Sequence, residues 1–182
     1  ITNLSIQIMK LSIVILNWNG RLLLKKFLPK IILYTPKTPI YVVDNSSKDD
    51  SIEFIKKEYK NVRIIKLPKN TGYAKAYNYA LKKIHSDVYC LINNDVMVTK
   101  NWTSPIMSYF EKRKVDIAQP LILDFNNKMR FEYAGAGGGY IDKFGYPFCR
   151  GRIFNKIEYN KGQYNNSVNI FWASGACMFV NQ

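Results

Sequence analysis

The sequence predicts an α/β fold, a mostly parallel sheet with helices on both faces, and three observations carry that prediction. Short, continuous apolar runs rich in β-branched residues recur along the first hundred residues, as strands buried on both faces require. Between them lie segments whose apolar residues repeat at helical spacing. Each run ends in a polar cluster, which is where the strands of βαβ units meet their loops.

Residues 11–16 form the first such strand and feed the turn Asn17-Trp18-Asn19-Gly20. Residues 21–33 carry apolar side chains at 23, 24, 27, 28 and 31, a helix that Pro29 is expected to kink or end. Residues 40–43 are a second strand, followed by a helix to Tyr59 for which Ser47 and Asp50 are the expected cap. Residues 62–67 read as a third strand, and Asn70-Thr71-Gly72 as a turn. Ala74, Tyr77, Asn78, Leu81 and Ile84 read as one face of a helix, and residues 88–92 as a fourth strand. Beyond Thr99 the spacing predicts a helix over 101–114 and a strand over 117–123. A loop-heavy stretch over 124–169 follows, then a strand over 170–180 bent at Gly175.

The 182 residues suffice for one compact domain with a real core. The change of character after Thr99 divides it into a part over 9–99 and a part over 100–182, with residues 1–8 as a non-native or disordered extension ahead of Met9. A hydrophobic fraction of 47% and an aromatic fraction of 14% exclude a disordered chain.

The formal charge of +14 is spread along the sequence, and its longest basic run is Lys112-Arg113-Lys114. Such an excess suits phosphorylated small molecules and anionic membrane surfaces. No RNP-like strand or recognition-helix motif accompanies it, so nucleic acid is not an expected partner. Cys90, Cys149 and Cys177 are too few and too irregularly spaced for a disulfide framework, and they read as reduced core thiols with a cytoplasmic address.

Four polar clusters follow four strands: Asn17 to Gly20, Asp44-Asn45-Ser46-Ser47, Asn70-Thr71-Gly72 and Asn93-Asn94-Asp95. Singly, each is an ordinary turn or cap. In a parallel sheet all four converge on the carboxyl edge, where ligands of open α/β sheets gather. Other signals are weaker. Gly135-Ala136-Gly137-Gly138-Gly139 lacks the strand-turn-helix context of a dinucleotide fingerprint. His85 reads as an exposed helix-end residue, and no zinc, Ser-His-Asp or Cys-His constellation can be assembled.

The order and spacing of these clusters resemble glycosyltransferase family 2, including its rhamnosyltransferase-like bacterial members. The family's D-N-x-S-x-D-x-S segment is matched by Asp44-Asn45-Ser46-Ser47-Lys48-Asp49-Asp50-Ser51, and its N-x-G-x-A-x-A-x-N-x-A helix by Asn70 through Ala80. Its D-x-D turn is matched by Asn93-Asn94-Asp95. The resemblance implies a single GT-A, Rossmann-like domain whose nucleotide-binding half is 9–99 and whose loop-rich sugar- and acceptor-side half is 100–182. It also implies metal-dependent, inverting transfer of a sugar from a nucleotide-diphosphate sugar to a glycan or lipid-linked acceptor, in polysaccharide biosynthesis.

The chemistry explains why these pieces belong together. Departure of a nucleoside diphosphate leaves extra negative charge, and a hard cation such as Mg²⁺ or Mn²⁺ held by a carboxylate offsets it. By resemblance Asp95 is the metal ligand, and Asn93 replaces the motif's first carboxylate. Asp44 accepts from the base edge, and Asn17, Asn45, Asn70, Gly72, Asn78 and Asn94 line the nucleotide. Lys75 faces the phosphates, and Trp172, Ser174 and Gly175 wall the sugar and acceptor side.

The family's catalytic base follows this last strand in an acidic motif, so the base is expected beyond Gln182. Asp124, Glu132, Asp142 and Glu158 lack the matching context. A chain ending at Gln182 is then expected to bind sugar nucleotide and to transfer poorly. The alternative is a non-catalytic nucleotide- or polyanion-binding module of the same fold. A lipid-linked acceptor implies peripheral contact with an anionic membrane at its inner face.

Overall fold

The computed structural model describes residues 9–112 and 115–182. The expected extension over 1–8 and the last two residues of the helix expected over 101–114 lie outside the described residues. The contacts divide the chain into two compact units. The first runs up to Asp116 and includes Phe179–Gln182, and the second is Ile117–Met178.

The first unit alternates strand and helix: β1 Leu11–Asn17, α1 Arg21–Tyr34, β2 Ile40–Asp44, α2 Ser51–Glu58, β3 Arg63–Lys66, α3 Tyr73–Leu81, β4 Val88–Asn93 and α4 Ser104–Lys112. Strand β1 pairs in parallel with β2 and β4, and β2 pairs in parallel with β3. With β5 Ile117–Ala118 and β10 Cys177–Asn181, the six-stranded sheet has the order β3-β2-β1-β4-β10-β5. The expected mostly parallel α/β architecture is what forms. Ile13, Val14, Ile15, Val42, Val43, Val88, Cys90 and Ile92 are all buried in the central strands.

Several elements depart from expectation. Pro29 does not end α1, which continues to Tyr34. The proline is exposed while Leu24, Phe27, Leu28 and Ile31 are buried, so the apolar stripe holds the helix together across the missing N–H. Ser47 does not cap α2. Asp50 occupies the cap position without a side-chain cap bond, and the Asp49 carboxylate accepts from the Ser51 amide at 3.2 Å. The buried face of α3 is Ala76, Tyr77 and Ala80 rather than Ala74, Asn78 and Leu81. Strand β5 stops at Ala118, before Gln119 and Pro120.

The second unit is not merely loops. It holds β6 Gly139–Ile141, β7 Pro147–Cys149, β8 Arg152–Ile153 and β9 Lys156–Ile157, an antiparallel sheet in that order. Phe131, Ala136 and Cys149 form its core, with Leu123, Tyr164 and Trp172 packed against them. The strand expected over 170–180 begins only at Cys177, and the stretch before it makes a single bridge, Trp172 to Gly139. A Cβ on Gly139 would lie 2.1 Å from the indole of Trp172, so glycine there admits the ring. All three cysteines are buried free thiols.

Candidate functional site

The parallel register fixes which side chains meet at the carboxyl edge. Asn17 pairs with Asp44 and Leu16 with Asn93, so the next residue, Asn94, falls beside Asn17. The first four strands thus deliver the polar clusters to one edge within the first unit.

Asn17 is the centre of this edge and is 0% exposed. Its Nδ2 lies 3.0 Å from Ser51 Oγ, 3.2 Å from Ser47 Oγ and 3.4 Å from Asp44 Oδ1, so two protons are shared among three acceptors. Its Oδ1 accepts from Asn94 Nδ2 at 2.9 Å. The one carboxamide therefore ties the ends of β1, β2 and β4 and the start of α2. A Cβ on Gly20 would sit 2.2 Å from Asn94 Nδ2 and 2.3 Å from Asn17 Oδ1, so Gly20 leaves room for that bond.

A second set of bonds locks the β1–α1 loop to the β2–α2 loop. The Asn19 amide donates to Ser47 Oγ at 2.9 Å, the Lys48 amide to Asn19 Oδ1 at 2.7 Å, and the Arg21 amide to Asp49 Oδ2 at 2.9 Å. Ser51 Oγ also donates to Asp49 Oδ1. Burial acts to raise the Asp49 pKa, but the bonds from Ser51 and Arg21 outweigh it and hold the carboxyl below its ordinary value. The Arg21 guanidinium lies 3.5 Å over the Phe54 ring.

A third set joins β2 to the turn before α3. Asn45, 4% exposed, donates from Nδ2 to Asn70 Oδ1 at 3.0 Å and to the Gly72 carbonyl at 3.3 Å, while its Oδ1 accepts from the Thr71 amide at 2.9 Å. Asn70 Oδ1 also accepts from the Gly72 amide. Gly72 has φ of 77°, a conformation that side-chain-bearing residues adopt at a cost. Below this edge Tyr77 donates to the Ile92 carbonyl at 3.1 Å. Burial, with Tyr73 and Cys90 nearby, pushes its pKa well above the ordinary phenol value, so it stays a neutral donor.

The expected site residues thus fall into two groups. Asn17 and Asn45 are buried and hydrogen-bonded within the protein, where their carboxamides hold the loops together. Asp44 is also buried, at 3% exposure, but its two bonds, from Asn17 and the Ser47 amide, are long at 3.4 and 3.3 Å and leave acceptor capacity unfilled. Asn93 and Asn94 are half-buried, and Asn70, Gly72, Lys75, Asn78 and Asp95 are exposed. Sequence reasoning singled out neither Gly20 nor Ser47, Asp49 and Ser51 as part of the site. Their presence in the WNG turn and the D-N-x-S-x-D-x-S segment was the available signal.

Asp95 makes no hydrogen bond or ion pair with a described residue. Among the described residues no group of three or more His, Cys, Asp or Glu side chains could hold a metal ion. A cation beside Asp95 would find no cluster of protein carboxylates among the described residues and would draw its remaining oxygens from water and ligand. That donor set fits Mg²⁺ or Mn²⁺ carried with a diphosphate. A cavity of about 390 Å³ lies at the opposite edge of the sheet, beside Lys10, Lys37, His85, Ser86, Thr103 and Glu111. It contains none of the four clusters, and the carboxyl edge remains the better candidate.

Trp172, Ser174 and Gly175 belong to the second unit. Trp172 packs on Gly139 and donates from Nε1 to the Tyr140 carbonyl at 2.8 Å, and the Ser174 amide donates to Gln119 Oε1 at 2.6 Å. The four carboxylates of this unit are engaged locally. Asp124 accepts from the amides of Asn126 and Asn127, Asp142 from those of Phe144 and Tyr146, Glu158 from Tyr164 and Gln163, and Glu132 pairs with Arg152 at 3.7 Å.

Comparison with known proteins follows the same lines. Staphylococcus aureus TarS, residues 1–349, in complex with UDP-GlcNAc matches with a TM-score of 0.60 at 18% identity, over 72% of this chain and 39% of that one. The mannosyltransferase PcManGT from Pyrobaculum calidifontis, in complex with GDP-Man and Mn²⁺, matches with a TM-score of 0.56 at 16% identity, over 68% and 39%. GalNAc-T7 with UDP, GalNAc and Mn²⁺ matches with a TM-score of 0.57 at 22% identity, over 64% and 23%. The chain thus spans less than half the length of these solved chains, and at such identities the likeness shows the fold. No curated protein matches the chain. The model of glycosyl transferase family 2 matches residues 12–181, nearly the whole sequence, and the chain belongs to that family.

Proposed function

We propose that this chain binds a nucleoside-diphosphate sugar at the carboxyl edge of β1, β2 and β4, together with Mg²⁺ or Mn²⁺ on Asp95, for transfer of the sugar with inversion to a glycan or lipid-linked acceptor. The observation that carries this reading is the contrast at that edge. Asp95 is an exposed carboxylate with no partner among the described residues, set beside a floor of buried, already hydrogen-bonded polar groups. A cation held by Asp95 would offset charge on the departing diphosphate. Asp44 uses its unfilled acceptor capacity on the base, while Asn70, Gly72, Lys75, Asn78, Asn93 and Asn94 border the nucleotide. Asn17 and Asn45 keep the loops in place. The family resemblance assigns Trp172, Ser174 and Gly175 of the second unit to the sugar and acceptor. The engaged carboxylates of the second unit are assigned no role as base.

The nucleotide sugars and Mn²⁺ in the names of the solved neighbours support this donor class. Among the described residues no helix is long and apolar enough to cross a membrane. The same reading includes a cytoplasmic place in polysaccharide biosynthesis and peripheral contact with an anionic membrane face, a contact that the charge of +14 suits. A thermal-shift assay with UDP or GDP tests the reading. Stabilisation that needs Mn²⁺ or Mg²⁺ and disappears in Asp95→Ala, with the unliganded melting temperature unchanged, is expected. Stabilisation without metal points instead to a non-catalytic nucleotide-binding module, and retained metal-dependent binding in Asp95→Ala refutes the ligand assignment.

A further inference from the structure

The small antiparallel sheet of the second unit has two hairpin tips at one end. Strand β6 turns into β7 through residues 142–146, and β8 turns into β9 through residues 154–155, while the β7–β8 turn lies at the other end. Each tip presents a phenylalanine that packs on little: Phe144 is 74% and Phe154 76% exposed, with Tyr146 beside the first at 71%. Ile141 and Ile153 are also exposed large hydrophobics at the bases of these tips.

Folding does not account for these side chains. Phe154 sits at φ of 51° in a two-residue hairpin turn, where glycine or asparagine is favoured and an aromatic ring is strained. The first tip is held open by its own bonds: Asp142 Oδ1 accepts from the Phe144 amide at 2.8 Å and the Tyr146 amide at 2.9 Å, and Gly145 supplies the positive φ. That arrangement turns the Asp142 carboxylate to the backbone and leaves Lys143 as the tip's cation, its Nζ 4.9 Å from the Phe144 ring centroid. Lys156 flanks the second tip and makes no ion pair with a described residue.

Protruding aromatic tips, each flanked by a lysine on a chain of charge +14, have the chemistry of an interfacial contact. The rings enter the boundary between headgroups and acyl chains, and the lysines meet anionic headgroups. We propose that the paired tips at 142–146 and 154–155 are the surface by which this chain docks on an anionic lipid bilayer. This rests on the membrane-peripheral part of the proposed function and gives that part its residues.

Co-sedimentation with vesicles of phosphatidylcholine, with and without phosphatidylglycerol, tests it. The chain should sediment with the anionic vesicles only. Removal of each of Lys143 and Lys156 should weaken binding about fivefold, and Phe144→Ser with Phe154→Ser together about tenfold or more. The metal-dependent thermal shift with UDP or GDP should be unchanged in these variants, which separates failure of this surface from failure of the nucleotide site. No preference of the parent chain for anionic vesicles overturns the proposal, as does parent-like vesicle binding by the double serine variant. Loss of binding to a soluble glycan with vesicle binding intact overturns it too, and assigns the tips to carbohydrate.

Discussion

Replacing Gly20 by alanine tests whether the Asn17 carboxamide organises the site. The backbone at Gly20, φ −107° and ψ 29°, suits any residue, so the effect is steric rather than conformational. The new Cβ would stand 2.2 and 2.3 Å from the two atoms of the Asn94 to Asn17 bond, which must separate. A buried acceptor left without its donor costs about 1–3 kcal/mol, and alanine is a poorer residue than glycine at a helix cap. Reduced freedom of the unfolded chain returns about 0.4–1 kcal/mol. The net loss is about 1–3 kcal/mol, or several degrees of melting temperature in a chain of this size. Thermal unfolding of Gly20→Ala, Asn94→Ala and the double variant measures it. The two substitutions should couple by more than about 0.5 kcal/mol, since both act on the same bond. A Gly20→Ala variant as stable as the parent, or strictly additive losses, would refute the reasoning.

Two further perturbations have defined outcomes. The Asp49 pKa is depressed in the folded chain, so its contribution to stability is full above the unfolded value of about 3.9 and is lost as pH falls through the lower folded value. Asp49→Asn should therefore flatten the acid limb of stability against pH, and an unaltered limb in an acid titration of melting temperature counts against the Ser51 and Arg21 bonds. Gly139→Ala drives a Cβ to 2.1 Å from the Trp172 ring. It should destabilise the second unit by about 1–3 kcal/mol and shift tryptophan fluorescence as the Nε1 bond to Tyr140 opens. An unchanged emission spectrum would show that the ring does not rest there.

The first unit was legible because its apolar runs are long and its helices periodic. Strands β1, β2 and β4 are buried along most of their length, and no alternative burial suits such runs. The errors have local physical causes. Pro29 is tolerated because α1 is held by its buried stripe. The phase of α3 differs from the expected one because Ala74 and Leu81 are as apolar as Ala76 and Ala80, so composition does not mark the buried face. The four strands of the second unit are two or three residues long, too short for alternation to show. They form because glycines admit large rings, Gly139 under Trp172 and Gly151 against Phe131. The stretch before β10 is apolar enough for a strand, but its groups are engaged elsewhere, Trp172 on Gly139 and the Ser174 amide on Gln119.

The clusters of the candidate site were legible as clusters, but the direction of each side chain was not, because register rather than composition decides it. Asn17 and Asp95 look equally polar in the sequence, yet one is the buried centre of a network and the other is exposed. This difference separates two kinds of substitution. Changes at Gly20, Asn17, Ser47 or Ser51 disturb bonds that already exist without ligand, so they should lower stability first and affinity through it. Asp95 holds nothing together in the free chain, so its removal should act on metal-dependent binding alone. A site whose loops are fixed before the ligand arrives has less ordering to do on binding. It then follows that nucleotide affinity and melting temperature should fall together across the buried network, and should be uncoupled at Asp95.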